Sequence, residues 1–137
     1  MKNILFVCIE NSNRSQMAEA FAKIHGRKKV NAYSAGSRPS GIVNGKAIES
    51  MRMKGYDLTL HKSKPMEDFR KMKFDVLITM GCGDECPFIP TLYREEWQIP
   101  DPENLSMKDF NVVRDLIELK VKQLLATIHK AENELVK

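Results

Sequence analysis

The sequence predicts an α/β fold: a three-layer sandwich with a central four-stranded parallel sheet and helices on both faces. Three observations predict it. Two apolar runs, Ile4-Leu5-Phe6-Val7 and Val76-Leu77-Ile78, are continuous rather than alternating, the pattern of strands buried on both faces. Helical patterns separate the strand segments, and such crossovers imply parallel pairing. Glycine and proline fall between the periodic segments and not inside them.

Residues 3–8 read as the first strand. A helix follows Arg14 and runs to about Ile24, with Met17 and Phe21, and Ala18 and Ala22, on one face at i, i+4 spacing. Gly26 stops it. Val30 to Ala35 alternates more and reads as an edge-side strand. Residues 36–45 hold Gly36, Pro39, Gly41 and Gly45 and read as a loop. A second helix covers about 45–54, with Ala47, Ile48 and Met51 inward, and ends near Gly55.

Residues 56–64 are expected to be irregular, and Pro65 to open a short helix through Phe69. Asp75 to Met80 is the next buried strand, and Tyr93–Trp97 a short fourth one. Pro100-Asp101-Pro102 must be a loop, because both prolines resist helix and sheet. Ser106 with Asp109 resembles a capping box. The last helix runs to about Glu132, with Val113, Ile117, Val121, Leu124 and Ile128 on its apolar face.

The 137 residues fit one domain, and 42% hydrophobic content supports a packed core. The net charge of +4 is spread along the chain without aromatic interleaving, which argues against nucleic acid as a partner. No apolar run is long enough to span a membrane, and Met1-Lys2-Asn3 does not open a signal peptide. The expectation is a cytoplasmic monomer, where its three cysteines stay reduced and are catalytic or metal-binding.

The segment from Cys8 to Ser15 carries the chemistry. A strand ends in Cys8, five residues follow, and Arg14 stands where a helix begins. A loop wrapped at a helix N-terminus turns backbone N–H groups toward one point, and the helix dipole adds positive potential there. Such a point binds a tetrahedral oxyanion and favours the thiolate form of a cysteine. Arg14 can grip two oxyanion oxygens with its planar fork. Glu10, Asn11, Ser12, Asn13, Arg14 and Ser15 are therefore the expected substrate-binding loop. Ser15 can hydrogen-bond the Cys8 thiolate or act as a helix cap. Asn11 can bond the loop backbone or supply left-handed geometry. Glu10 must point outward, since a carboxylate repels an anion. The competing view is a buried strand cysteine followed by an ordinary loop.

In a parallel sheet, ligands sit beyond the carboxyl ends of the strands. Cys8 ends the first strand and Cys82 follows the third, so both are expected at one end. Asp101 in its Pro-Asp-Pro loop can serve as a general acid for a leaving oxygen, or be a plain turn residue. Cys82 and Cys86 have three readings: two ligands of a zinc site, buried inert thiols, or a redox pair. For zinc, the remaining Cys8, His25, His61 and His129 lack tight spacing, and no metal is expected. A disulfide wants Cβ atoms about 3.5–4.5 Å apart, closer than the ~5–6 Å of helical residues four apart. A helical 82–86 segment would have to unwind to be oxidised.

At this point the sequence resembles a known family. Cys-x5-Arg-Ser after a first strand is the signature of the low-molecular-weight tyrosine phosphatases and of the arsenate reductases that share their fold. Asn11-Ser12-x-Arg14-Ser15-Gln16-Met17-Ala18-Glu19, Ser34-Ala35-Gly36, Asp75 to Met80, Cys86-Pro87, Glu95-x-Trp97 and Asp101-Pro102 are more similar to the reductases. The resemblance implies a thioredoxin-coupled arsenate reductase without a cofactor. In it Cys8 attacks arsenate, Cys82 attacks Cys8, Cys86 attacks Cys82, and thioredoxin or a similar dithiol reductant removes the final disulfide. Asp101 takes the general-acid role it has in the phosphatases. A phosphatase needing only Cys8, Arg14 and Asp101 is the alternative, although Glu103-Asn104 stands where aromatic residues would stack on phosphotyrosine.

Three departures stand out. Asn13 replaces the family's usual cysteine, which lies outside the relay. Only three residues separate Cys82 from Cys86. Some relatives bind potassium behind the loop; Asn11, Glu19 and Ser34 match, but Lys64 takes the acidic position, so its ammonium is expected to replace the ion.

Overall fold

The computed structural model describes residues 1–81 and 89–136, with side chains to Glu132. Cys82 and Cys86 lie outside the described residues.

The strands β1 (Lys2–Cys8), β2 (Val30–Gly36), β3 (Phe74–Thr79) and β4 (Thr91–Glu96) form one sheet in the order β2-β1-β3-β4. Every neighbouring pair is parallel. The helices are α1 (Arg14–His25), α2 (Gly45–Arg52) and α3 (Met107–Val136), with 3-10 turns at Leu58–Leu60 and Met66–Phe69. This is the predicted four-stranded parallel sheet, with β2 at one edge.

Alternate residues of the central strands serve opposite faces. Ile4, Phe6, Val76 and Ile78 pack with Met17 and Phe21 of α1, Met51 of α2, and Phe110, Ile117 and Val121 of α3. Leu5, Val7 and Leu77, joined by Phe74 at the very start of β3, pack with Met66, Phe69, Met72 and Ile89. Among the described residues the α-helices share one face, and the other face is covered by the Met66–Phe69 turn and its neighbours. A strand buried on both faces has no polar side to display, which is why its apolar run is continuous.

Local chemistry explains the boundaries. Gly26 follows the last turn of α1: its N–H donates to the Ala22 carbonyl, and a Cβ there would lie 2.6 Å from that oxygen and 2.7 Å from Val30, so a residue without a side chain is needed where the chain turns into β2. Asn44 caps α2 by accepting from the Lys46 N–H. Ser106 opens α3: its hydroxyl accepts from the Asp109 N–H at 3.3 Å. The 56–64 segment, expected to be irregular, contains the Leu58–Leu60 turn, which buries Leu58 completely.

β1 sits centrally between β2 and β3. Its carboxyl end therefore opens toward loops from both neighbours, where a parallel sheet holds its ligands.

Candidate active site

Cys8 is the last residue of β1 and is 3% exposed. The chain then loops over residues 9–13 and enters α1 at Arg14. Asn11 adopts a φ of 52°, the left-handed region in which asparagine is tolerated. The left-handed geometry is present, while the Asn11 side chain bonds Ser15, Gln16 and the Lys64 N–H rather than the backbone of its own loop. Gly36 lets β2 approach the loop: a Cβ there would lie 2.6 Å from the Ile9 carbonyl oxygen and 3.0 Å from the Asn11 nitrogen.

The backbone N–H groups from Glu10 to Arg14 donate to no described residue. They and the start of α1 form a nest of open donors suited to an anion. A cavity of about 230 Å³ faces them, lined by Cys8, the loop, Arg38, Asp101 and Glu103. That is below the ~300–1,000 Å³ of typical drug-sized sites and suits a small oxyanion.

Arg14 is buried at 8% exposure, and its Nη1 donates to the Ile99 carbonyl at 3.2 Å. Its Nη2 lies 4.0 Å from Asp101 Oδ2. Asp101 Oδ1 accepts from the Glu103 N–H at 3.1 Å, so one oxygen holds the turn and the other faces Arg14. The Asp101 loop hangs from Trp97, whose backbone N–H donates to the Thr79 carbonyl at 2.8 Å and whose ring lies 5.9 Å from that of Phe6. Its indole N–H donates to Glu95 at 2.9 Å.

The Cys8 sulfur and the Ser15 hydroxyl are 2.9 Å apart. Behind them runs a chain of bonds with one proton direction. The half-buried Tyr56 phenol, pushed up to about 12 chiefly by desolvation, keeps its proton and donates to His61 Nε2 at 2.6 Å. His61 Nδ1 then donates to Gln16 at 2.9 Å, and the Gln16 amide donates to Asn11 Oδ1 at 2.8 Å. Asn11 Nδ2 donates to Ser15 at 2.7 Å, which leaves the Ser15 proton aimed at sulfur. Each donor fixes the orientation of the next group.

Other loop residues divide by role. Glu10 is exposed at the rim, which keeps its charge in water. The Ser12 hydroxyl donates to the Ile42 carbonyl at 2.8 Å and meets Ser40 at 2.5 Å, so it braces the 36–45 loop while Ser12 still lines the cavity. Asn13 is 5% exposed, and its Oδ1 has no partner among the described residues.

Behind the loop, Glu19 is 5% exposed. It accepts from Ser34 at 2.6 Å and Lys23 at 2.5 Å, with Lys64 Nζ at 3.8 Å and His61 Nδ1 at 3.6 Å. Two ammonium groups already answer one carboxylate, so the residues present do not fit a potassium ion. Among the described residues no three His, Cys, Asp or Glu side chains converge as metal ligands. No helix among them is long and apolar enough to cross a membrane.

His61 titrates below its ordinary 6.5, chiefly through burial, with Lys23 and Lys64 pushing the same way and Glu19 opposing. The unfolded chain therefore takes up this proton more readily than the folded one. The stability contribution is complete above about pH 6.5 and is lost as pH falls through and below that value. Thermal midpoints taken from pH 7.5 to 5.5 are expected to drop, and to drop less steeply in His61→Gln.

A family profile for the low molecular weight phosphotyrosine protein phosphatases matches residues 3–134. The chain belongs to that family. It is 39% identical over 131 residues to the glutaredoxin arsenate reductase of Synechocystis sp., covering 93% of this chain and 99% of that one. Among solved structures it is similar to an arsenate reductase in the phosphate binding state, with a TM-score of 0.84, 38% identity, and 93% and 99% of the two chains covered. A thioredoxin-dependent arsenate reductase of Corynebacterium glutamicum superposes with a TM-score of 0.81 at 27% identity, covering 96% of this chain and 63% of that one.

For a member of this phosphatase family, the loop, Arg14 and Asp101 were legible as motifs. The resemblance also places Glu103 beside Asp101, where a substrate group would stack, and it lines the cavity. The Gln16–His61–Tyr56 chain and the rim residue Arg38 were not legible: they come from three separate segments, and no local spacing marks them. Of these, Gln16 alone, two residues after Arg14 inside a matching motif, carried any signal.

Proposed function

We propose that this protein reduces arsenate to arsenite. The observation that carries this is the set of a buried Cys8 sulfur, a Ser15 hydroxyl 2.9 Å from it, and Arg14 and Asp101 on one small cavity, in a chain that also holds Cys82 and Cys86. The Cys8 thiolate attacks arsenic while the loop N–H groups and Arg14 hold the other oxygens. Asp101 protonates the departing oxygen, which leaves as water, and an As–S bond replaces the As–O bond. Cys82 then attacks the Cys8 sulfur. An S–S bond forms, the As–S electron pair stays on arsenic, and arsenite leaves; two thiols are oxidised as As(V) becomes As(III). Cys86 attacks Cys82 and frees the Cys8 thiolate. A thioredoxin-class dithiol protein reduces the Cys82–Cys86 disulfide.

The relatives named for arsenate reduction support the substrate. Their names carry both thioredoxin and glutaredoxin. The assay therefore follows arsenate-dependent NADPH oxidation in two arms, one with thioredoxin and its reductase, one with glutaredoxin, glutathione and its reductase. Turnover is expected with thioredoxin, and peptide mapping after arsenate is expected to find Cys82 joined to Cys86. Turnover in the glutaredoxin arm alone would reassign the reductant, and no turnover in either would remove the activity.

The family profile favours one second reading, hydrolysis of phosphate monoesters through a Cys8 phospho-enzyme. It needs Cys8, Arg14 and Asp101 alone. A kcat/KM for an aryl phosphate above that for arsenate would install it.

Ser15→Ala tests the thiolate on either route. It removes the hydroxyl from sulfur and an acceptor from Asn11. Hydrogen bonds to charged groups contribute ~1.5–3 kcal/mol, so kcat/KM is expected to fall about 10- to 100-fold. An unchanged value would show that Ser15 only braces the loop.

A further inference from the structure

Gly81 lies two residues beyond the end of β3, is exposed, and has a φ of +74°. A Cβ built on it would overlap Arg14 Nη1 and lie 3.2 Å from Cζ and 3.5 Å from Nη2. The three nearest atoms all belong to the guanidinium. We infer that Gly81 is a positioning residue for the oxyanion site: its missing side chain leaves the space in which the Arg14 guanidinium is held. This rests on Arg14 gripping the oxyanion, as proposed above.

The cost of a clash depends on what must yield. A side chain pressed against backbone or a rigid ring strains the fold. Here the obstacle is the tip of a long side chain with several rotatable bonds, so the guanidinium moves. Once displaced, it loses the 3.2 Å bond to the Ile99 carbonyl and its aim at the cavity. A side chain at position 81 therefore acts on oxyanion binding more than on folding. The backbone supplies a second, separate effect, because positive φ disfavours any residue with a Cβ.

Gly55 separates the two. Its φ is +79°, and a Cβ there would meet nothing within 4 Å. Gly55→Ala thus carries the same backbone strain with no neighbour to displace. Gly81→Asn carries the Cβ with less strain, since asparagine tolerates positive φ.

The test measures inorganic phosphate affinity by calorimetry, the Arg14 Nε–H resonance by NMR, and the thermal midpoint for the wild type and the three variants. Gly81→Ala and Gly81→Asn are expected to weaken phosphate binding about tenfold or more, the effect of losing one charged hydrogen bond. Both are expected to shift the Arg14 resonance. Gly55→Ala is expected to lower the midpoint as Gly81→Ala does, with phosphate affinity unchanged. Phosphate affinity in both position-81 variants within about twofold of wild type, or equal weakening by Gly55→Ala, would overturn the inference. Absence of phosphate binding by the wild type would instead remove the Arg14 grip. The Arg14 resonance would then decide Gly81, and an unmoved signal in both position-81 variants would overturn it.

Discussion

Cys82→Ser is expected to abolish steady-state arsenate reduction while sparing aryl phosphate hydrolysis. Both reactions begin with Cys8 attacking a tetrahedral centre held by the same loop. They part at the adduct. Water can resolve a phosphorylated cysteine, but water attacking a thiol–arsenate adduct only returns arsenate, because no electron pair has reached arsenic. Reduction requires a second sulfur to take the Cys8 sulfur and leave the pair behind. Loss of that sulfur removes at least about a thousandfold in rate, or ~4 kcal/mol of barrier lowering. Coupled NADPH oxidation reads the first activity and release of a chromogenic phenol the second. Cys86→Ser is expected to stall after one turnover with Cys8 joined to Cys82, visible by peptide mapping. Wild-type turnover in either variant would dismantle the relay.

Arg14→Lys is the second large effect, and it strikes both reactions. The guanidinium is 8% exposed, donates to the Ile99 carbonyl, and reaches within 4.0 Å of Asp101. A lysine keeps the charge but loses the fork: one ammonium cannot bond Ile99 and two oxyanion oxygens in one plane. Electrostatic donors aimed at developing charge in an active site contribute ~10²–10³ in rate, and a loss of that order in kcat/KM is expected for arsenate and aryl phosphate alike. The thermal midpoint checks that the fold survives. A loss confined to one substrate would mean that Arg14 is not a shared grip.

β1 and β3 were legible as continuous apolar runs and β2 through its alternation, whereas β4, expected at Tyr93–Trp97, runs over Thr91–Glu96, a mostly exposed polar segment with no apolar run to mark its start. The loop was legible because Cys8, Arg14 and Ser15 lie within eight residues on a strand–loop–helix. The support behind the loop was not. Residues 56–64 have no periodicity, yet His61 holds Gln16, the Lys62 carbonyl accepts from Gln16, and the Lys64 N–H donates to Asn11. These bonds join positions 45 to 53 residues apart. Spacing rules describe contacts within one element and cannot anticipate such pairs. Lys64 is the exception, since its place opposite Glu19 was readable from a motif in which an acid was expected.

The sequence by itself determined the parallel α/β fold, the strand–loop–helix from Cys8 to Ser15, the order of its chemistry-bearing residues and the presence of two further cysteines. Those properties are written in hydrophobic period, turn residues and short motifs, which act between near neighbours. The tertiary structure alone decided that Asp101 faces Arg14, that the Ile99 carbonyl orients the guanidinium, that Gly81 leaves it room, and that Tyr56 and His61 stand behind the Cys8 sulfur. Those are meetings of distant segments, and they exist only once the parallel sheet has brought the strand ends and their loops to one edge.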